Sequence, residues 1–268
     1  MHIIRFIAPD NTIHFGHDYR DGSAAGLAGN DFTALEETTE RLPVATLLPP
    51  VDPRAIFCIG LNYKAHAAEV KMELPPYPAL FMKNPASATG HGSPVVIPGV
   101  CEEKPEVDYE AELAVIIGKA GKDIPVERAL DHVFGYTCAN DISARRWQKH
   151  AGGGQWVRAK SYDTFCPLGP ALVTADEIPD PQDLELTLRL NGETMQHSHT
   201  SDMIFSVAEI IAFLSQDTTL LPGTVILTGT PAGVGYTRSP RVFLKEGNVM
   251  EVEISTLGIL KNQVENKR

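Results

Sequence analysis

The sequence predicts an α+β fold in which strands predominate and helices are few. Short apolar runs of strand length recur along most of the chain, and 20 prolines and 22 glycines punctuate it. Only one segment shows clear helical periodicity. Frequent breaks between short apolar runs favour a β-rich core over regular alternation of strands and helices.

Residues 1 to 50 alternate short apolar pieces with Asp, Asn and Gly turns, and a proline-rich stretch at 47–53 follows. Consecutive prolines favour an extended connector. The sequence therefore predicts a small β-rich N-terminal segment, 1–50, and a larger catalytic domain, 51–268.

Strand signals dominate the larger domain. Ser206 and Glu209 form a capping box at its clearest helix, 207–214, which carries one apolar stripe that indicates core packing. The predicted strands are 55–60, 79–82, 95–97, 113–117, 133–139, 168–173, 184–190, 225–228 and 249–254. Gly152 to Gly154 are predicted to form a mobile loop.

Composition excludes several classes of function. The net charge is −11 and no long basic run occurs, which argues against a nucleic-acid partner. The sequence shows no leader-like start and no apolar run of membrane-spanning length, so we expect no membrane partner and a cytoplasmic location. The four cysteines are widely separated and indicate buried thiols rather than a zinc or redox motif.

Three carboxylates at alternate positions, Asp108, Glu110 and Glu112, are the most informative feature of the chain. On a strand they share one face at spacings of roughly 6.5 Å. Two ionised carboxylates at that distance repel by roughly 2.5 kcal/mol at an effective dielectric of about 20. A hard divalent cation such as Mg²⁺ or Mn²⁺ would relieve that repulsion. The alternative is an edge strand with a solvated acidic face.

A second candidate lies at 62–69, where Asn62 is a candidate helix cap and good helix formers follow. His66 and Glu69 would then be neighbours on one helical face. A carboxylate fixes the tautomer of an imidazole, as a base acting near neutral pH requires. The alternative is an ordinary exposed His/Glu pair.

The run 135–145 reads as a strand that breaks at Asn140 and Asp141, after which Ser143 can help to start a helix. Asp141 is a candidate third metal ligand beside Glu110 and Glu112, or simply a cap or turn residue. Arg145 can pair with a substrate carboxylate or balance nearby acids, and Gln148 follows on the same helical side.

Lys83 and Lys160 each lie beside an apolar run, where a lysine can complement a carboxylate or an enolate, although solvated lysines are common there. The segment 228–235, which contains Thr230, lacks the spacing of a P-loop or a dinucleotide motif. It suits close backbone approach to a small ligand, or a tight turn between strands.

Taken in order, these motifs resemble the fumarylacetoacetate hydrolase family from about residue 53 to the C-terminus. The motifs are G-x-N-Y-x-x-H-x-x-E at 60–69, F-x-K at 81–83, D-Y-E-A-E-L at 108–113, N-D-x-S-A-R at 140–145, K-S-Y-D-T-F-C-P-L-G-P at 160–170 and T-G-T-P-x-G-V-G at 228–235. The resemblance implies a mixed β-roll and a metal-dependent enzyme that is a homodimer.

The resemblance also implies roles for individual residues. Glu110, Glu112 and Asp141 would bind Mg²⁺ or Mn²⁺, and His66 with Glu69 would activate water. Lys160 would act in catalysis, and the substrate contacts would be Lys83, Arg145, Gln148 and Thr230. The founding hydrolase carries a further acidic residue where this chain has Gly60 and Leu61, so the resemblance does not fix the substrate.

The family chemistry implies a small 2-oxo acid substrate whose enolate is stabilised as a bond at C3 breaks. Because both His66 and Glu69 are present, hydrolysis of a 2,4-diketo acid such as an acylpyruvate is the first hypothesis. The alternative is an oxaloacetate decarboxylase, or a decarboxylase/isomerase of aromatic catabolism that acts on 2-hydroxyhepta-2,4-diene-1,7-dioate. A noncatalytic protein that binds 2-oxo acids or metal is the hypothesis from another class.

Overall fold

The computed structural model describes residues 1–29, 31–151 and 153–268. Strands dominate these residues and helices are few, which confirms the predicted fold class. The strands are β1 (His2–Ile7), β2 (Ile13–Arg20), β3 (Ser23–Ala28), β4 (Glu36–Pro43), β5 (Thr46–Leu47), β6 (Ala55–Gly60), β7 (Ala79–Lys83), β8 (Ala88–Thr89), β9 (Val95–Ile97), β10 (Val107–Asp108), β11 (Ala111–Ile117), β12 (Val133–Asn140), β13 (Ser143–Ala144), β14 (Cys166–Thr174), β15 (Glu185–Leu190), β16 (Glu193–His199), β17 (Thr224–Leu227), β18 (Val249–Ile254) and β19 (Gly258–Asn266).

The α-helices are α1 (Lys64–Glu69), α2 (Val157–Lys160) and α3 (Val207–Ser215), and a π-helical segment spans Trp147–Ala151. Short 3₁₀ turns lie at Pro85–Ser87, Gly99–Cys101, Val126–His132, Ala175–Glu177, Thr200–Asp202 and Gly235–Thr237. No helix among the described residues is long and apolar enough to cross a membrane. The mobile loop predicted at 152–154 includes Gly152, which lies outside the described residues.

A large sheet organises the molecule. Its strands follow the order β4-β3-β2-β1-β14-β12-β11-β17-β6-β7, with β5 paired to β1 and β8 paired to β14. Strand β1 runs antiparallel to β14, with His2 opposite Val173. The N-terminal strands are therefore continuous with the large sheet, and the domain boundary at residue 50 stays a prediction.

A five-stranded sheet, in the order β16-β15-β18-β19-β9, packs against the large one. Leu113 and Val115 of β11 share one buried apolar cluster with Leu186, Leu188 and Val252 of the smaller sheet. Burial of such side chains contributes about 1.5–3 kcal/mol each. This core fixes the position of β11, which leads directly out of the carboxylate motif.

Helix α3 begins as predicted. The Ser206 hydroxyl accepts a hydrogen bond from the Glu209 N–H at 3.3 Å, and Glu209 Oε2 accepts the Ser206 N–H at 2.8 Å. The stripe of Val207, Ile210 and Leu214 is buried in the core. The four cysteines are free and buried, as expected.

Two local predictions were wrong. Helix α1 begins at Lys64 after Tyr63, and Asn62 does not cap it. Its amide instead donates to the carbonyls of Phe205 and Thr228 at 3.0 and 2.8 Å, because this buried side chain joins two distant loops. Ser143 does not start a helix either, since it pairs with Asp108 between β13 and β10.

The strand order brings the motifs together. In the antiparallel pair β11 and β12, Ala111 lies opposite Asn140, so the start of one strand meets the end of the other. Strand β17 is antiparallel to β11 on its other side, and β6 runs parallel to β17. The segments that follow β12, β17 and β6 therefore converge on the start of β11.

Candidate metal centre and active site

Glu110, Glu112 and Asp141 form a buried carboxylate cluster. One oxygen from each residue lies within 4.8 Å of the others. The Asp141 N–H donates to the Glu110 carbonyl at 2.8 Å, and Asn140 Oδ1 accepts the Glu110 N–H at 2.9 Å. The end of β12 thus holds the start of the carboxylate motif in register.

Asp108, the first carboxylate of the alternating series, does not join this cluster. It lies in β10, before the chain turns at Tyr109 and Glu110 into β11. Its oxygens accept the N–H groups of Gly235 and Tyr236 at 2.8 and 2.9 Å and the Arg145 Nε–H at 2.8 Å. The expectation that all three carboxylates share one strand face was therefore wrong for Asp108.

Two lysines lie inside the cluster. Lys160 Nζ donates to Glu110 Oε2 at 2.7 Å and to Asp141 Oδ2 at 2.6 Å. Lys83 Nζ lies 2.5 Å from Asp141 Oδ1 and also donates to the Ile142 carbonyl. Both side chains are buried, so the solvated alternative does not apply to either lysine.

Arg145 and Gln148 lie beside the cluster. Arg145 NH1 is 2.7 Å from Glu110 Oε1 and donates to Gln148 Oε1 at 3.0 Å. The guanidinium thus links Glu110 to Asp108. Gln148 lies on the same side as Arg145, as its spacing indicated.

The charges around Glu110 and Glu112 are unequal. Burial disfavours both anions, but Lys160 and Arg145 outweigh it at Glu110 and lower the pKa of that carboxyl to about 2. Burial raises the pKa of Glu112 well above its usual value, and Asp141 and Glu110 raise it further. The charge of Lys160 and the Gly229 N–H, which donates to Glu112 at 2.6 Å, lower this pKa only in part.

This donor set fits a hard divalent cation. Four buried carboxylates, those of Asp108 and the cluster, face three cations, those of Lys83, Arg145 and Lys160. Among the described residues no lysine or arginine nitrogen lies within 4.0 Å of the Glu112 carboxyl group, which lies beside the carboxyl oxygens of Glu110 and Asp141. Clustered carboxylate oxygens are the ligands that Mg²⁺ and Mn²⁺ prefer.

His66 and Glu69 form the predicted pair. Nδ1 of His66 lies 2.8 Å from Glu69 Oε2. Glu69 Oε1 accepts the Gly233 N–H at 3.0 Å and the Thr237 hydroxyl at 2.8 Å. Burial opposes the charge of Glu69, but these bonds and His66 lower the pKa of the carboxyl. An ionised Glu69 assigns the proton of a neutral ring to Nδ1 and leaves Nε2 as the acceptor.

Glu110 and Glu112 of the cluster and the His66–Glu69 pair line one cavity of about 1090 Å³. Among the predicted site residues, Lys83 and Asp141 are absent from its wall, and Lys83 contacts the cluster only through Asp141. The lining site residues are His66, Glu69, Glu110, Glu112, Arg145, Gln148, Lys160 and Thr230. The structure therefore brings together side chains from segments up to 164 residues apart.

Sequence reasoning missed one residue that supports this wall and several residues of the wall itself. Gln196 of β16 donates to Thr230 Oγ1 at 2.8 Å and accepts the Ala111 N–H at 2.9 Å. No local pattern marks it, because its role depends on how the smaller sheet packs. Lys149, Tyr236 and Thr237 were also missed, although Tyr236 and Thr237 directly follow the glycine-rich segment.

A β-rich fold with an acidic cluster and a His/Glu pair in one cavity defines the class of an enzyme that acts on a small molecule. Residues 55–265 match the family described as "Fumarylacetoacetate (FAA) hydrolase C-terminal". The chain belongs to the fumarylacetoacetate hydrolase family, which confirms the resemblance.

Curated relatives and solved structures show which members of the family the chain is similar to. The chain is 47% identical over 242 residues to oxaloacetate tautomerase fahd2, mitochondrial, of Xenopus laevis, covering 90% of this chain and 75% of that protein. It is 46% identical to oxaloacetate tautomerase FAHD2A, mitochondrial, of Homo sapiens, covering 84% and 70%. A structure of 2-hydroxyhepta-2,4-diene-1,7-dioate isomerase from Mycobacterium marinum is 37% identical, with a TM-score of 0.84 and coverage of 100% and 99%.

Proposed function

We propose that this chain is a divalent-metal-dependent isomerase that interconverts the keto and enol forms of oxaloacetate or a similar 2-oxo diacid. The observation that carries the proposal is that the His66–Glu69 pair lines one cavity together with Glu110 and Glu112, two members of the carboxylate cluster. The names of the relatives support it, since they are called tautomerases and an isomerase. This corresponds more closely to the isomerase alternative of the sequence analysis than to its first hypothesis.

Glu110, Glu112 and Asp141 would hold the cation, Mg²⁺ or Mn²⁺. When bound, such a cation supplies electrophilic stabilisation of the negative charge that develops on a keto oxygen. Lys160 and Arg145 add fixed positive charge, because the carboxylates around them raise the pKa of both groups despite burial. Both would therefore orient substrate and stabilise charge rather than exchange protons.

His66 would carry out the proton transfer. Its Nε2 would take a proton from C3 of the 2-oxo acid while the electron pair of that C–H bond moves towards the keto oxygen. The imidazolium, stabilised by Glu69 at 2.8 Å, would then return the proton to that oxygen and give the enol. Thr237 and Gly233 hold Glu69 in place throughout.

The test measures the rate at which enol oxaloacetate equilibrates with its keto form in the presence of Mg²⁺. The wild type is compared with His66→Ala. We expect the variant to lose roughly 10²–10⁴-fold in kcat, the usual contribution of a general base. His197→Ala is the matched control, because His197 lies 3.5 Å from Glu185 in an exposed His/Glu pair. Equal rates in the wild type and His66→Ala would overturn the assignment of His66.

A second candidate is the first hypothesis of the sequence analysis, hydrolysis of an acylpyruvate. The 2.8 Å contact between His66 and Glu69 favours it, because the same pair can activate water. A panel of oxaloacetate, acetylpyruvate, fumarylpyruvate and fumarylacetoacetate, with pyruvate, CO₂ and acid release recorded, separates the candidates. Release of pyruvate and an acid identifies a hydrolase, whereas CO₂ release that survives His66→Ala identifies a decarboxylase.

The same panel tests the noncatalytic hypothesis, which requires Mg²⁺ binding without turnover of any substrate. The proposal includes a small 2-oxo acid as the substrate and a homodimer as the oligomeric state. Sedimentation with and without Mg²⁺ tests the oligomeric state. The cytoplasmic location stays a prediction, since two relatives are named as mitochondrial proteins.

A further inference from the structure

The positively charged side chains along the wall of the cavity differ in whether carboxylates already contact them. Three lysine or arginine side chains line it: Arg145, Lys149 and Lys160. Arg145 has carboxylate oxygens of Asp108 and Glu110 at 2.8 and 2.7 Å, and Lys160 has those of Glu110 and Asp141 at 2.7 and 2.6 Å. Both are therefore committed to the carboxylate cluster before any substrate arrives.

Lys149 is different. In the part of the chain that the structure describes, no carboxylate oxygen lies within 4.0 Å of its Nζ. It is exposed at the surface, on the π-helical segment, one residue after Gln148. This lysine can therefore still bind an anion from solution.

The aromatic ring of Tyr236 fixes the position of Lys149. Nζ of Lys149 lies over this ring, 3.8 Å from its centroid, and Cζ of Arg241 lies 4.3 Å from the same centroid. Arg241 also has no carboxylate within 4.0 Å among the described residues. Cation–π contacts of this kind hold a charged group without neutralising it.

Tyr236 is itself anchored. Its backbone N–H donates to Asp108 Oδ2 at 2.9 Å, and Asp108 also accepts from Arg145. Asp108 therefore connects the backbone of Tyr236 to the Arg145 guanidinium. Two unneutralised cations at one ring repel each other, and an anion bound by either of them relieves that repulsion.

We propose that Lys149, supported by Arg241 on the ring of Tyr236, binds the distal carboxylate of a dicarboxylic substrate and so selects diacids over monoacids. This inference rests on the proposed 2-oxo acid chemistry in the same cavity. The carboxylate next to the keto group would lie at the acidic cluster. The second carboxylate would reach the edge of the cavity, where the free lysine lies.

The test measures binding separately from turnover. With Mg²⁺ supplied, calorimetry compares L-malate, which has a distal carboxylate, with L-lactate, which lacks it, on the wild type and Lys149→Met. We expect Lys149→Met to weaken malate binding about three- to tenfold, as for loss of a charge-assisted contact at a partly exposed site, and to leave lactate binding unchanged.

Lys149→Arg should retain the preference for malate, because the charge remains near the ring. Lys104→Met is the matched control, since it removes the same charge from an exposed lysine outside the cavity wall. In turnover of oxaloacetate, Lys149→Met should raise KM by a similar factor and change kcat less than about twofold. Thermal melts check that each variant is folded.

Three results would overturn the inference: a wild type that binds malate no better than lactate, equal losses for both ligands in Lys149→Met, or no loss for either. A wild type that prefers malate in the predicted way, but does not equilibrate enol oxaloacetate, would overturn the proposed function and leave this binding site standing. The two failures are therefore distinguishable.

Discussion

Glu112 is the residue on which the metal centre depends most. Its neighbours are carboxylates, and among the described residues it has no lysine or arginine nitrogen within 4.0 Å, unlike Glu110 and Asp141. A cation in the cluster would therefore relieve more repulsion at Glu112 than elsewhere. This makes Glu112 the most direct probe of the proposed site.

We expect Glu112→Gln to weaken Mg²⁺ binding by more than about tenfold, because changes to outer partners of metal ligands already cost about 10–100-fold. The protein should remain folded, since the amide can still accept the Gly229 N–H. Calorimetric titration of Mg²⁺ measures the affinity, and Glu36→Gln, at an exposed glutamate of β4, is the control. Unchanged affinity in Glu112→Gln would exclude this residue as a ligand.

The raised pKa of Glu112 also predicts a pH dependence. Burial and two neighbouring carboxylates keep its proton on to higher pH than usual, whereas metal binding needs the anion. Binding should therefore expel a proton, and affinity should rise with pH until the pH passes this raised pKa. Calorimetry in buffers of different ionisation heat counts the protons. Equal proton release by the wild type and Glu112→Gln would contradict the assignment.

At the scale of elements, the turn Gly233–Thr237 joins the two halves of the site. Gly233 and Thr237 donate to Glu69, while Gly235 and Tyr236 donate to Asp108, which holds Arg145. One short turn thus fixes the His/Glu pair relative to the arginine. Asp108, which the alternating spacing placed on one strand face with Glu110 and Glu112, instead positions this turn.

Asp108→Asn should lower kcat/KM by roughly 10–100-fold, because a buried hydrogen-bonded charge contributes about 1.5–3 kcal/mol. The loss should appear in both kcat and KM, since the turn serves both Glu69 and Arg145. Steady-state kinetics measure it, with Asp18→Asn at the surface Asp18–Arg41 pair as control. An effect on stability alone, with normal kinetics, would refute the positioning role.

A second prediction concerns the loop after β17. Gly229 has φ of +99°, and a Cβ there would lie 2.7 Å from Asn62 Cβ, whereas Gly247 has φ of +84° and nothing within 4 Å. Gly229→Ala should therefore cost roughly 1–3 kcal/mol more unfolding free energy than Gly247→Ala. It should also weaken Mg²⁺ binding, because the Gly229 N–H holds Glu112. Urea denaturation of the pair measures the difference, and equal costs would count against it.

At the scale of the whole molecule, the large sheet gathers residues of distant segments into one charged site. At this buried cluster four carboxyl groups face three cations. Such a site links metal binding to the stability of the entire fold.

Mg²⁺ should therefore raise the free energy of unfolding, by about 2.7 kcal/mol at a concentration 100 times its Kd. Chelation should reverse the effect, and Glu112→Gln should show little of it at the same concentration. Chemical denaturation with and without Mg²⁺ provides the measurement. Stability that is independent of Mg²⁺ in the wild type would argue that no cation binds the folded chain specifically.

The sequence alone determined the local features of this protein. The β-rich class, the strand at 55–60, the capping box of Ser206 and Glu209, and the i, i+3 spacing of His66 and Glu69 follow from short-range periodicity and capping chemistry. These depend on residues only a few positions apart, so local patterns predict them.

Only the tertiary structure decided which distant groups meet. It separated Asp108 from Glu110 and Glu112, moved Asn62 from a cap to a link between loops, and buried Lys83 and Lys160 among the carboxylates. It also brought Tyr236 to the cavity and Gln196 to Thr230. The reason is that strand order and sheet packing bring residues together across tens of positions, and no local period records that order.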